Sequence, residues 1–141
     1  VGQAGEIVDV NPQILHVLMD AKFIPVIAPV SADEAGRAFN VNADSAAGAI
    51  AGALQVDRTL FLTDVPGLLR KWPDQSTLIS SISYAEAKSL LPTLSDGMIP
   101  KVAACLRAIE MGAKSAQIVD GREKGSVQSA ISNNSGTVFT A

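Results

Sequence analysis

The stretch Asn40-Val41-Asn42-Ala43-Asp44, continued by Ser45-Ala46-Ala47-Gly48-Ala49-Ile50-Ala51-Gly52-Ala53-Leu54, decides how this 141-residue chain is read. Two amides and a carboxylate fall within five residues, and almost no bulk follows them. A polar cluster ahead of a run of small residues marks a helix N-terminus. Ala47, Ile50, Ala51 and Leu54 keep the i, i+3, i+4, i+7 spacing of one apolar helical face. Gly48 and Gly52 each cost such a helix up to roughly 1 kcal/mol relative to alanine. That cost suits a helix lying close against another backbone. Capping needs one polar side chain and three are present, so the excess points towards chemistry.

Upstream of this stretch, Ser31 to Phe39 is polar, with Asp33, Glu34 and Arg37, and reads as a surface loop or hairpin. Ile24-Pro25-Val26-Ile27-Ala28-Pro29 is apolar on both faces and predicts a strand buried between two helical layers. Asn11-Pro12 supplies an N-cap and a proline at the first helical position, and Ile14, Leu15, Leu18 and Met19 carry that helix to about Ala21. Glu6 to Val10 reads as an edge strand or hairpin arm.

Downstream, Thr59-Leu60-Phe61-Leu62-Thr63 predicts a second buried strand, stopping at the turn Asp64-Val65-Pro66-Gly67. A polar turn after a core strand is where open α/β sheets bind ligands. Arg70 to Ser81, with Trp72, Pro73 and Asp74, reads as an exposed excursion. Ser83-Tyr84-Ala85-Glu86 is a capping box opening a short helix that Pro92 ends. After the turn Ser95-Asp96-Gly97-Met98, Pro100 starts a helix with the stripe Val102, Cys105, Leu106 and Ile109, closed by Gly112. Ser115 to Val119 is a third strand, followed by the turn Asp120-Gly121-Arg122. Ser126 to Ser132 is a short helix with Val127, Ala130 and Ile131 inward, and Asn133-Asn134-Ser135-Gly136 turns into a strand over Thr137 to Thr140. Strands alternating with helices predict an α/β fold in one domain over 1–141, a three-layer α/β/α sandwich with a mainly parallel sheet.

Composition narrows the function. The chain is 48% hydrophobic and 18% charged, enough apolar surface to offset the entropy of ordering. Its formal charge is −3 with no basic face, which argues against nucleic acid as partner. Cys105, the one cysteine, excludes an intrachain disulfide framework and falls on a buried stripe as packing. No apolar run is long enough to cross a bilayer and the start is unlike a signal peptide, so a soluble cytoplasmic domain without a membrane partner is expected. The chain opens on Val1-Gly2, which suggests a piece of a longer protein. Neither a G-x-x-x-x-G-K-[S/T] phosphate loop nor a G-x-S-x-G elbow is present. His16 stands alone mid-helix, a core or surface histidine and not a base or metal ligand; no metal site is expected.

Lys101 lies in the first turn of its helix, where the dipole disfavours a cation, beside an apolar stripe. A lysine added to free helix N–H groups makes an anion site suited to phosphate, the alternative being an ordinary solvated lysine. Asp44 is either an acid favoured by its helix start or part of a site. Asp64 either binds a nucleotide or metal, or braces its turn. The residues alone thus reach an anion or nucleotide site formed by Asp44, Asp64 and Lys101, and no substrate.

Phe23-Ile24-Pro25-Val26-Ile27-Ala28-Pro29, Asn40-Val41-Asn42-Ala43-Asp44-Ser45-Ala46-Ala47-Gly48-Ala49, Leu62-Thr63-Asp64-Val65-Pro66-Gly67, Gly97-Met98-Ile99-Pro100-Lys101-Val102 and Val119-Asp120-Gly121-Arg122 occur in this order. With Asn11-Pro12 they resemble the acetylglutamate kinases of the amino acid kinase family, in their C-terminal, ATP-binding part. The resemblance implies ATP-dependent phosphorylation of the side-chain carboxylate of N-acetyl-L-glutamate, a step of arginine biosynthesis. It implies that Asn40 contacts acetylglutamate, that Asp44 organises the catalytic lysines, and that Lys101 stabilises charge on the transferring phosphoryl group. Thr63, Asp64, Val65, Pro66, Gly67, Leu68 and Leu69 would line the ATP site, with Thr93, Leu94 and Ser95 closing it. Magnesium would come with ATP, and the complete protein would be a homo-oligomer. The family's second lysine, glycine-rich loop and substrate arginine match nothing here, so the isolated chain is expected to be inactive. Gly125 and Asn133-Asn134 stand where arginine-inhibited members carry a histidine and an acid, so the resemblance does not extend to arginine feedback. A non-catalytic nucleotide-binding or assembly module of the same fold is the alternative.

Overall fold

The computed structural model describes residues 4–133 and 135–141. Val1 to Gln3, and Asn134 of the expected turn, lie outside the described residues. In chain order the elements are β1 (Ala4–Gly5), α1 (Gln13–Asp20), β2 (Val30–Ala32), β3 (Ala38–Val41), α2 (Ala43–Ala53), β4 (Thr59–Thr63), β5 (Ser81–Ser83), α3 (Tyr84–Leu90), α4 (Ile99–Glu110), β6 (Ser115–Asp120), α5 (Ser126–Asn133) and β7 (Thr137–Thr140). Short 3₁₀ turns cover Gln75–Thr77 and Leu91–Thr93.

The main sheet has the order β4-β6-β7-β5. β4 and β6 run parallel with Phe61 opposite Ile118, β7 returns antiparallel to β6, and β5 joins β7 in parallel. Period-2 alternation along β6 sorts its two faces. Ala116 and Ile118 enter a core with Phe61, Ile82, Phe139 and the α4 residues Val102, Cys105 and Leu106. Gln117 points to the other face, where its amide donates to the carbonyls of Ala130 in α5 and Ser135. Helices therefore cover both faces, which gives the three-layer sandwich. Phe139 has no exposed surface, and such a burial contributes roughly 1.5–3 kcal/mol.

β1, β3 and β2 form a separate small sheet, and the segment over 31–39 is a hairpin. Asp33 sets its turn: one carboxylate oxygen accepts from the N–H groups of Ala35 and Arg37, the other from the Arg37 guanidinium. The capping box at Ser83 is formed, with Glu86 reaching back to the Ser83 N–H.

Four expectations are corrected. In α5 only Ala130 of the expected inward residues is buried, Val127 and Ile131 being exposed. Residues 24–29 form no strand: Ile24 is 89% and Val26 95% exposed. A strand needs a partner along its length to take its N–H and C=O groups; here only the end of the segment has one, the Pro29 carbonyl accepting from Val41 N–H. Residues 6–10 are likewise irregular, the strand being Ala4–Gly5. The first helix takes Pro12 as its cap residue; the Asn11 carboxamide still accepts from Gln13 N–H, but only Leu15 of the expected stripe is buried. His16 is on the exposed side.

Candidate functional site

α2 and α4 meet along their small residues. A Cβ placed on Gly48 would lie 2.7 Å from the carbonyl oxygen of Ala104, and one on Gly52 would collide with Met111. Together with the Asp44–Lys101 contact, these pairs advance in the same direction along both helices. The helices therefore run parallel, with their N-termini side by side. Each leads through a short connection into a strand of the main sheet, so both helix starts share the sheet end where β4 and β6 finish. There Gly121 N–H donates to the Thr63 carbonyl, joining the two polar turns that follow those strands. That end of an open α/β sheet is the usual ligand edge.

At the paired helix starts, Lys101 Nζ donates to Asp44 Oδ2 at 3.1 Å, each side chain 25% exposed. Asp44 sits favourably in the first turn of α2, whereas Lys101 opposes the dipole of α4 and is held by the carboxylate. Asn42 caps α2 by accepting from Ser45 N–H, which frees Asp44 from that task. The start of α4 has no side-chain cap, and Pro100 occupies its first turn. An ammonium has three donors. Among the described residues Lys101 uses one, leaving two beside a helix start with positive dipole. This arrangement suits an anion with several oxygens. Cys105, one turn behind Lys101, is fully buried; burial and then the Asp44 charge push its thiol pKa up, which leaves it unreactive.

A cleft of about 210 Å³ opens beside Met98 at the start of α4, lined by Gly67, Leu68, Leu69, Thr93, Leu94 and Ser95 with Arg70, Trp72 and Leu90. At this size it suits one end of a nucleotide, since pockets for whole ligands run to roughly 300–1,000 Å³. Its turn is fixed from far along the chain. Thr137 Oγ1 accepts from Leu68 N–H at 2.8 Å and donates to the Ile79 carbonyl at 2.6 Å. Gly67 adopts φ +148, and a Cβ there would sit 2.6 Å from Thr137 Oγ1.

The structure thus brings Asp44 to Lys101, and Gly67 to Leu69 to Thr93 to Ser95. Thr63, Asp64, Val65 and Pro66 do not line that cleft. The Asp64 carboxylate accepts from Thr63 Oγ1, and Pro66 borders a second cleft with Asp120, Glu123 and Lys124. Asn40 lies on β3, exposed, between Ala4 and Val30 in register. Sequence reasoning missed Met98, Arg70 and Trp72 in the cleft, and Thr137 behind it. Met98 had a signal in the turn before Pro100; Thr137 had none, because its partners lie 58 and 69 residues away. Among the described residues no three His, Cys, Asp or Glu side chains gather to hold a metal ion, and no helix is long and apolar enough to cross a membrane.

A family model described as "Amino acid kinase family" matches residues 2–120. The chain is 50% identical over 127 residues to the acetylglutamate kinase of Corynebacterium urealyticum, covering 90% of this chain and 42% of that protein. It is 43% identical over 136 residues to the acetylglutamate kinase of Mycolicibacterium gilvum, covering 96% and 47%. It spans about half the length of these curated relatives. Among solved structures, N-acetylglutamate synthase from Neisseria gonorrhoeae complexed with coenzyme A and L-arginine superposes with a TM-score of 0.88 at 29% identity, over 97% of this chain and 32% of that one.

Proposed function

The chain belongs to the amino acid kinase family, and from that premise we propose that it supplies the ATP-binding, phosphoryl-stabilising part of an acetylglutamate kinase. The reaction would be transfer of the γ-phosphoryl group of ATP to the side-chain carboxylate of N-acetyl-L-glutamate, within arginine biosynthesis in the cytoplasm. The observation that carries the reading is the Lys101–Asp44 pair at two parallel helix starts. Phosphoryl transfer asks a protein for positioning and charge neutralisation more than for covalent work. Lys101 would offset the charge on the transferring group, Asp44 would fix its ammonium, and the Lys101 N–H at the start of α4 would add a donor.

A carboxylate acceptor is already ionised at neutral pH, so it needs no general base. The Gly67–Leu69 turn and Thr93–Ser95 would hold the nucleotide, their apolar walls taking the base and their hydroxyls its polar edge. Thr63 to Pro66 would face it from the β4 end. Asn40 would contact acetylglutamate. Magnesium bound with the nucleotide would neutralise phosphate charge, and it usually keeps waters and phosphate ligands instead of a protein cage. The complete enzyme would be a homo-oligomer.

In the complete kinase, Lys101→Ala and Asp44→Asn are expected to lower kcat by two or more orders of magnitude while ATP affinity stays within about threefold. Isothermal calorimetry and coupled turnover assays read the two quantities. Unchanged turnover in either variant overturns the assignment. The 141-residue chain by itself is expected to bind nucleotide weakly and to phosphorylate nothing; measurable acetylglutamyl phosphate from the pure chain would refute that.

A further inference from the structure

Gly48 sits one turn after Asp44 in α2, and Ala104 sits one turn after Lys101 in α4. A close backbone approach of the two helices therefore lies directly behind the ion pair. The missing Cβ of Gly48 would lie 2.7 Å from the Ala104 carbonyl oxygen, where ordinary contact begins near 3.4 Å. The obstacle is backbone, which cannot rotate aside as a side-chain end could. Any side chain at position 48 must therefore push the helices apart. From this geometry we infer that Gly48 is the positioning residue that sets the distance between Asp44 and Lys101.

The margin is small. The Nζ to Oδ2 distance is 3.1 Å, and hydrogen bonds between nitrogen and oxygen fade beyond about 3.2–3.5 Å. Spreading the helices at Gly48 acts on the pair through a single turn of each helix, too short to absorb the shift by bending. Gly52, two turns along, meets Met111 and holds the far end of the same seam. Ala51 and Ala108 fill the space between. The small residues of α2 thus do more than permit packing: they fix where an ammonium stands. The consequence for catalysis rests on the kinase reading above; the spacing itself does not.

Lysine-selective ¹⁵Nζ correlation NMR of the 141-residue chain tests this directly. The unsubstituted chain is expected to show a slowly exchanging ammonium resonance that Lys101→Arg removes and Asp44→Asn abolishes. Gly48→Ala is expected to abolish it too, with the amide signals of β4 and β6 kept. Gly48→Ala combined with Asp44→Glu is expected to restore it, because the extra methylene spans the widened gap. Simple loss of packing would not be repaired by lengthening an acid. An unchanged resonance in folded Gly48→Ala overturns the proposal, as does the absence of any such resonance from the unsubstituted chain. Should Gly48→Ala fail to fold, Asp44→Glu alone tests the same spacing: at the unchanged helix distance the longer acid is mismatched to Lys101, and an unaltered resonance in that variant also overturns the proposal. Intact turnover in Lys101→Ala would remove the kinase reading and leave this result standing.

Discussion

Asp120 ends β6 and accepts three bonds from Arg122: from its backbone N–H and Nε at one oxygen, and from Nη2 at the other. The Arg122 side chain, then its backbone N–H, hold the Asp120 carboxyl down at about 2. A carboxylate depressed in the folded state adds stability that is complete above its unfolded pKa, near 4, and lost as pH falls towards 2. Asp120→Asn is therefore expected to flatten the fall of Tm between pH 4 and 2 relative to the parent, as followed by circular dichroism. An equal slope in both proteins contradicts the assignment. At the same scale, the excess of polar groups from Asn40 to Asp44 was legible because one amide suffices for a cap: Asn42 takes that task and Asp44 is left for Lys101. The place of Asp64 was not legible. A carboxylate after a strand carries no mark of its local partner, here the hydroxyl of its own neighbour Thr63.

Elements with local signals were readable from the chain. α3 begins at its capping box, α4 begins at Ile99, one residue before the Pro100 that signals it, and β4 spans Thr59–Thr63 as its apolar run suggests. β5 was hidden: its one buried residue, Ile82, sits between serines at the end of a polar excursion, and its strand character comes from pairing with β7. Residues 24–29 show the reverse, a strand-like pattern that pairs only at its end, where Pro29 meets Val41. The turn over Gly67–Leu69 depends on a distant residue in the same way. Thr137 is fully buried and serves both Leu68 and Ile79, so Thr137→Val strands a donor and an acceptor at once. That substitution is expected to cost about 2–4 kcal/mol by urea denaturation, with nucleotide affinity falling as the cleft wall loosens. A loss under 0.5 kcal/mol would show that the turn holds without it.

Taken whole, the molecule leaves a large apolar surface uncovered on one side. Phe23, Ile24, Val26 and Val30 are all more than half exposed, and a groove of about 400 Å³ runs between residues 25–29, α2 and β4. Thr59 Oγ1, at the edge strand along that groove, is buried without a hydrogen-bond partner among the described residues. Patches of this kind drive association. The chain is expected to bind hydrophobic dyes while folded and to self-associate with rising concentration. Ile24→Lys with Val26→Lys should reduce sedimenting aggregates and leave stability within about 0.5 kcal/mol; an unsubstituted chain that stays monomeric at high concentration would contradict this. The order of the main sheet has a further consequence, for the timing of synthesis. Among the described strands β7 is made last, yet it lies between β6 and β5. β4 and β6 can pair as soon as β6 is made, but β5, produced more than thirty residues before β6, must wait at the margin until β7 arrives to join it. Until then the place of Phe139 stays open, so the core cannot close before β7 has been made, whatever was folded earlier.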